Sequence, residues 1–116
     1  MDFTFPADIL DLTKMVKRFV QEEVEPFAQQ IEERNEIPEH IMRKTKEIGL
    51  FGLSIPEQYG GLGLNMVGKC AVYEELGKTH NGFTALVGAH TGIGTVGIVD
   101  LGTEKQKKKY LPNMAS

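Results

Sequence analysis

Two glycine strings, three histidines, the adjacent glutamates Glu74 and Glu75 and one cysteine are the residues of this chain whose types and spacing could do chemistry. Gly92-Ile93-Gly94-Thr95-Val96-Gly97 satisfies the G-x-G-x-x-G pattern of a dinucleotide-binding turn. That turn needs a strand before it, a helix after it, and an acidic residue about twenty positions on for the ribose. The sequence reaches Ser116 without such a residue, and no alternation of strand and helix patterns precedes the string. These glycines read instead as the thin side of a buried helix, where a neighbour or ligand can come close. Gly63-Leu64-Asn65-Met66-Val67-Gly68-Lys69-Cys70 is one residue short of a phosphate-binding P-loop. Cys70 stands where Ser or Thr must offer a hydroxyl to Mg²⁺, and a thiol is a poor ligand for that hard cation. The segment reads as a loop entering a helix, with Lys69 toward water and Cys70 toward the core.

The remaining candidates are weaker. Glu74 and Glu75 are neighbours, and adjacent side chains on a helix diverge too far to share a proton or a metal. One of them is expected in solvent and the other paired with a basic group across the bundle. His40, His80 and His90 have neither the H-E-x-x-H nor the Cys/His spacing of a zinc site. Lys107-Lys108-Lys109 reads as cations balancing a helix C-terminus. The residues therefore give no catalytic centre and no metal site.

The elements that would position these residues are helical. Ile9, Leu12, Val16, Phe19, Val20, Val24, Phe27 and Ile31 recur at gaps of three and four, which predicts a helix from about Ala7 to Glu33. Pro26 interrupts its hydrogen bonding and predicts a bend there. A second helix starts at Pro38, turns Ile41, Thr45 and Ile48 inward, and stops at Gly49. Residues 50–64 read as a structured loop with at most one short extended stretch. Asn65 caps a third helix carrying Val67, Cys70, Ala71 and Leu76, closed near Gly77. From Asn81 to Val99 there is no Asp, Glu, Lys or Arg. The length invites a membrane reading, but its glycines, threonines and His90 make it weakly hydrophobic, so we expect a central helix buried on most sides and no transmembrane segment. Gly102 ends it. Thr103-Glu104-Lys105-Gln106 matches a capping box for a fifth helix that runs through Leu111 to meet Pro112. The sum is an all-α domain spanning residues 1–116, an antiparallel bundle of about five helices.

Composition closes off other classes. The chain has 116 residues, 41% hydrophobic and 25% charged, with a formal charge of -3. That is one globular domain without the electrostatic footprint of a nucleic-acid binder. A single cysteine excludes an intrachain disulfide framework and suits a reducing compartment. The N-terminal residues lack the pattern of a signal peptide.

Five strings together resemble the N-terminal helical domain of the flavin-dependent acyl-CoA dehydrogenases. They are Phe19-Val20-Gln21-Glu22-Glu23-Val24-Glu25-Pro26, Ile48-Gly49-Leu50-Phe51-Gly52-Leu53, Ile55-Pro56-Glu57-Gln58-Tyr59-Gly60-Gly61-Leu62-Gly63, Tyr73-Glu74-Glu75-Leu76-Gly77 and the stretch from Gly102 to Pro112. The third looks like the family's P-E-x-Y-G-G-x-G loop. Ala89-His90-Thr91-Gly92-Ile93-Gly94 is most similar to members acting on longer acyl chains.

The resemblance implies an enzyme about three times longer, with a middle β-domain and a second helical domain. Such enzymes oxidise an acyl-CoA thioester between its α and β carbons, a glutamate removing the α-proton while hydride passes to FAD. The base and most flavin contacts lie in the later domains, so the resemblance implies no catalytic residue here and no FAD bound by this chain alone. It places Ala85, Leu86, Ala89, His90 and Ile93 against the fatty tail. It also implies acyl-CoA and electron-transfer flavoprotein as partners of the whole enzyme, a homo-oligomer, and a cytoplasmic or mitochondrial-matrix location. Two rivals share the scaffold: a helical interaction module without chemistry, and an acyl-CoA oxidase or flavin monooxygenase.

Overall fold

The computed structural model describes residues 1–116. They form five helices and no strand: α1 (residues 7–34), α2 (Glu39–Ile48), α3 (Met66–Leu76), α4 (Asn81–Leu101) and α5 (Glu104–Ala115). The all-α expectation is met. The molecule measures 42 × 40 × 20 Å. Its short dimension is two helix diameters, so no helix can be enclosed on every side.

Helix α1 is continuous but changes its bonding at the proline. A π turn, Val20–Val24, and a 3₁₀ turn, Glu25–Phe27, link the α segments Ala7–Phe19 and Ala28–Arg34. The Glu25 N–H reaches back to the Val20 carbonyl, so the chain widens before Pro26 and tightens across it. The ring thereby avoids the carbonyl it would strike in a regular helix. Asn35 ends the helix in the left-handed region at φ 52°, a role asparagine tolerates better than other non-glycine residues.

Helix α2 begins one residue later than expected, with Pro38 as its cap (φ -55°, ψ 143°). Gly49 ends it at φ 87°, as its position predicts. The segment 50–64 contains 3₁₀ turns but no extended strand. It is cross-tied by Leu62 N–H to Gly52 O (2.8 Å), Gly63 N–H to Ile55 O (2.9 Å) and Leu64 N–H to Leu53 O (2.9 Å). Gly61 is the tightest point: a β-carbon there would collide with the carbonyl of Ile55. Only glycine fits.

Asn65 caps α3 by accepting the Gly68 N–H at 2.9 Å. Gly68, Ala71, Val72 and Leu76 are its buried residues. Cys70 and Val67 are exposed, which corrects their inward assignment. The buried gaps of three and four start from Gly68, which packs beside Ile9 of α1, and so turn 67 and 70 outward. Glu75 pairs with Lys78 at 2.9 Å, at the end of its own helix and not across the bundle.

Two cores result. The larger takes Val16, Phe19, Val20, Val24 and Ile31 from α1, Ile41 from α2, Leu50, Phe51 and Leu53 from the loop, Val72 and Leu76 from α3, and Phe83 and Val87 from α4. The rings of Phe19 and Phe83 meet edge to face, 6.1 Å apart. The smaller joins Ile55 and Tyr59 of the loop to Leu111 and Ala115 of α5.

Both halves of the capping box form: Thr103 Oγ1 accepts from Gln106 N–H (3.2 Å), and Thr103 N–H donates to Gln106 Oε1 (2.9 Å). Helix α5 then continues through Pro112 to Ala115. Its last turn survives the missing N–H because Leu111 and Ala115, on either side of the exposed proline, are anchored in the smaller core. Lys107, Lys108 and Lys109 consequently sit within the helix and not at its end. Lys107 lies 3.8 Å from Glu104, and Lys109 stands over the Tyr110 ring.

Candidate functional site: the open face of the fourth helix

Helix α4 has an inner and an outer side. Phe83, Val87, Thr91 and Thr95, four residues apart, are fully buried. Threonine can occupy this apolar seat because its hydroxyl bonds back to the preceding turn. Thr91 Oγ1 donates to Val87 O (2.8 Å) and Thr95 Oγ1 to Thr91 O (3.0 Å). A strict repeat of four drifts by about 40° per step on a regular α-helix. A π turn, His90–Gly94, takes up that drift and keeps Thr95 on the buried side.

Around this turn the rest of the molecule supplies polar contacts. Ser54 Oγ donates to the Thr91 carbonyl (2.7 Å), and Tyr73 Oη lies 2.6 Å from Thr91 Oγ1. His90 Nε2 lies 2.7 Å from the Met114 carbonyl. A carbonyl can only accept, so Nε2 carries the proton. The same imidazole meets the Phe51 ring edge to face, centroids 4.9 Å apart.

The outer side is bare. Ala85, Ala89, Ile93 and Gly97 are exposed, and Ile93 retains 94% of its surface. At Gly88, Gly92 and Gly97 a β-carbon would meet nothing within 4 Å. This corrects the expectation of a helix buried on most sides; only 22% of its most apolar window is buried. A slab two helices thick can cover one flank of α4 and no more.

The five residues assigned to the fatty tail are divided by the fold. Ala85, Ala89 and Ile93 share the open face. Leu86 is half-buried and packs against the larger core. His90 is half-buried and engaged with Met114 and Phe51. Ser54, Tyr73 and Met114, which hold the helix from behind, gave no sequence signal because they lie 18 to 37 residues from their partners.

The face offers shape and apolarity, with no reactive group. No group of three or more His, Cys, Asp and Glu could hold a metal. The one histidine–carboxylate pair, His80 Nε2 to Glu32 Oε2 at 2.6 Å, is structural, because His80 Nδ1 caps α4 by accepting the Gly82 N–H at 3.0 Å. The residues do not form a nucleotide cradle either. Gly92–Gly97 is helical with no strand before it, and the Gly68 N–H of the P-loop-like string is taken by Asn65. Elsewhere, Tyr59 Oη donates to Glu104 Oε2 at 3.0 Å. Burial first, then the Glu104 hydrogen bond and charge, raise this phenol above its ordinary 10.0. By length and composition α4 could cross a membrane, its most apolar window having a mean hydropathy of 1.4.

The whole arrangement, α4 included, lies within a match to the family model described as acyl-CoA dehydrogenase, N-terminal domain, over residues 6–116. A probable acyl-CoA dehydrogenase of Bacillus subtilis is 38% identical over 96% of this chain, which covers 19% of that protein. The very long-chain specific acyl-CoA dehydrogenase of Rattus norvegicus mitochondria is 38% identical over 85% of the chain and 16% of its own length. An acyl-CoA dehydrogenase from Bacillus anthracis, solved with FAD, superposes with TM-score 0.84 and 35% identity, over 96% of this chain and 19% of its own. A structure described as the electron transferring flavoprotein of Acidaminococcus fermentans gives TM-score 0.89 and 30% identity, over 99% of this chain and 30% of its own. The chain thus spans less than a third of the length of these relatives. It belongs to the acyl-CoA dehydrogenase family, in which it is the N-terminal domain.

Proposed function

We propose that this N-terminal domain supplies one wall of the acyl-tail pocket of an enzyme that oxidises acyl-CoA thioesters between the α and β carbons, as in fatty-acid β-oxidation. The observation that carries the reading is the two-sided helix α4: a tightly held inner flank, and an outer flank of Ala85, Gly88, Ala89, Gly92 and Ile93 with no charge and no cover. A saturated hydrocarbon tail needs a surface of that chemistry and offers nothing for a polar wall to bind. Small side chains at 85 and 89 leave depth, which favours the longer acyl chains.

Chemistry is assigned to the rest of a longer polypeptide. When bound there, FAD supplies the hydride acceptor; no step of the reaction is assigned to a residue of this domain. The domain's own part is to exclude water from the tail, set the depth available to it, and pack against the parts that hold flavin and thioester. Electron-transfer flavoprotein as acceptor, a homo-oligomeric assembly, and a cytoplasmic or mitochondrial-matrix setting belong to the same reading.

The test is Ala89→Phe in the full-length enzyme, with kcat/KM measured over straight-chain acyl-CoA substrates of increasing length. A ring on this face should lower kcat/KM by about fourfold for each methylene it excludes, leaving short substrates untouched. An unchanged length profile overturns the reading.

A further inference from the structure

The π turn His90–Gly94 is the irregular part of α4 and the place where its two sides are set against each other. A π turn inserts an extra residue into the ladder, is rarely stable without outside support, and is often found at functional positions. Here the support is explicit. The Thr95 N–H bonds to the Gly92 carbonyl, and the Thr91 carbonyl receives the hydroxyls of Ser54 and Thr95. At the other end of the turn His90 reaches away from α4 altogether. Its Nε2–H holds the Met114 carbonyl of α5 and its ring rests on Phe51, itself buried in the larger core. Between these supports stands Ile93, whose side chain projects fully from the open face.

We propose that His90 is a positioning residue for substrate selectivity: it does not touch the fatty tail but, through Met114 and Phe51, fixes the π turn that aims Ile93 at it. This rests on the tail-wall reading above and deepens it. Released from His90, the turn can return to regular α bonding, which rotates the residues within it, Ile93 among them, by up to about one position around the helix axis and carries those after it along. Ile93 would then leave the line of Ala85 and Ala89, and the depth of the wall would change. Glutamine at 90 can still donate to a carbonyl from its side-chain amide, whereas leucine cannot.

The experiment compares wild type, His90→Leu, His90→Gln and Ala89→Phe in the full-length enzyme, with kcat and KM measured across acyl-chain lengths. Amide hydrogen exchange over residues 90–95 is followed in parallel. In His90→Leu the ratio of long-chain to short-chain kcat/KM should change by about tenfold, through KM. Exchange over 90–95 should rise by about tenfold while α3 is unaffected. His90→Gln should restore both to within about twofold of wild type. If Ala89→Phe alters the profile and His90→Leu does not, the wall stands and the role of His90 is overturned. If neither alters it, the wall reading itself has failed. Should His90→Leu not fold, Ser54→Ala removes a second support of the same turn with His90 intact. Faster exchange over 90–95 together with an altered length profile supports the device, and wild-type values of both overturn it.

Discussion

Tyr73 Oη and Thr91 Oγ1 lie 2.6 Å apart where α3 meets α4, and the direction of that bond follows from its neighbours. Thr91 spends its only hydroxyl proton on the Val87 carbonyl at 2.8 Å, so Tyr73 must donate. The pair ties the seat of α4 to α3 at the level of the π turn. With Ser54 on the Thr91 carbonyl, it makes Thr91 the most heavily used polar residue of the interior.

This relationship predicts an asymmetric pair of substitutions. Tyr73→Phe leaves Thr91 satisfied by Val87 and should cost about 1 kcal/mol. Thr91→Val removes the acceptor from a half-buried phenol and should cost about 1–2 kcal/mol. Denaturant unfolding of the two single variants and the double variant should show coupling of about 0.5–1.5 kcal/mol. Strict additivity would mean that the bond contributes nothing to stability.

Gly61→Ala should be among the most damaging small substitutions in the chain. The added methyl runs into backbone, the Ile55 carbonyl, which cannot move without breaking the ties that hold Leu62, Gly63 and Leu64. A loss of about 3 kcal/mol or more is expected in chemical denaturation. Gly88→Ala is the matched control, since its β-carbon meets open space and alanine is the better helix former; it should stabilise by up to about 1 kcal/mol.

Tyr59 should give the fold an alkaline limit. Its phenol is held above the ordinary value of 10.0, so the neutral form is favoured in the folded state. For a group shifted in that direction the stabilisation is complete below the unfolded value and is lost as pH rises through the folded one. The chain has three tyrosines. Ultraviolet titration of phenolate should show one ionising later than in the unfolded protein, and Tyr59→Phe should abolish that late step and flatten stability above pH 10. A late step that persists in Tyr59→Phe would assign the shift to another residue.

What the sequence determined by itself is whatever depends on near neighbours along the chain. The repeat of three and four fixed the helices. Gly49, Asn65 and the Thr103–Gln106 box fixed several of their ends, because a cap is made by residues within four positions of it. Ordered strings such as Ile55–Gly63 were enough to point to the family. The tertiary structure alone decided what depends on distant partners. Pro112 could sit inside α5 because Leu111 and Ala115 are held by Ile55 and Tyr59, more than fifty residues away in sequence. Cys70 turned outward because Gly68 was claimed by Ile9. An uncharged run from Asn81 to Val99 looks the same in sequence whether it is enclosed or half bare. Only the packing of a slab 20 Å thick showed which flank is covered, and turned His90 toward Met114 and Phe51 while leaving Ile93 exposed.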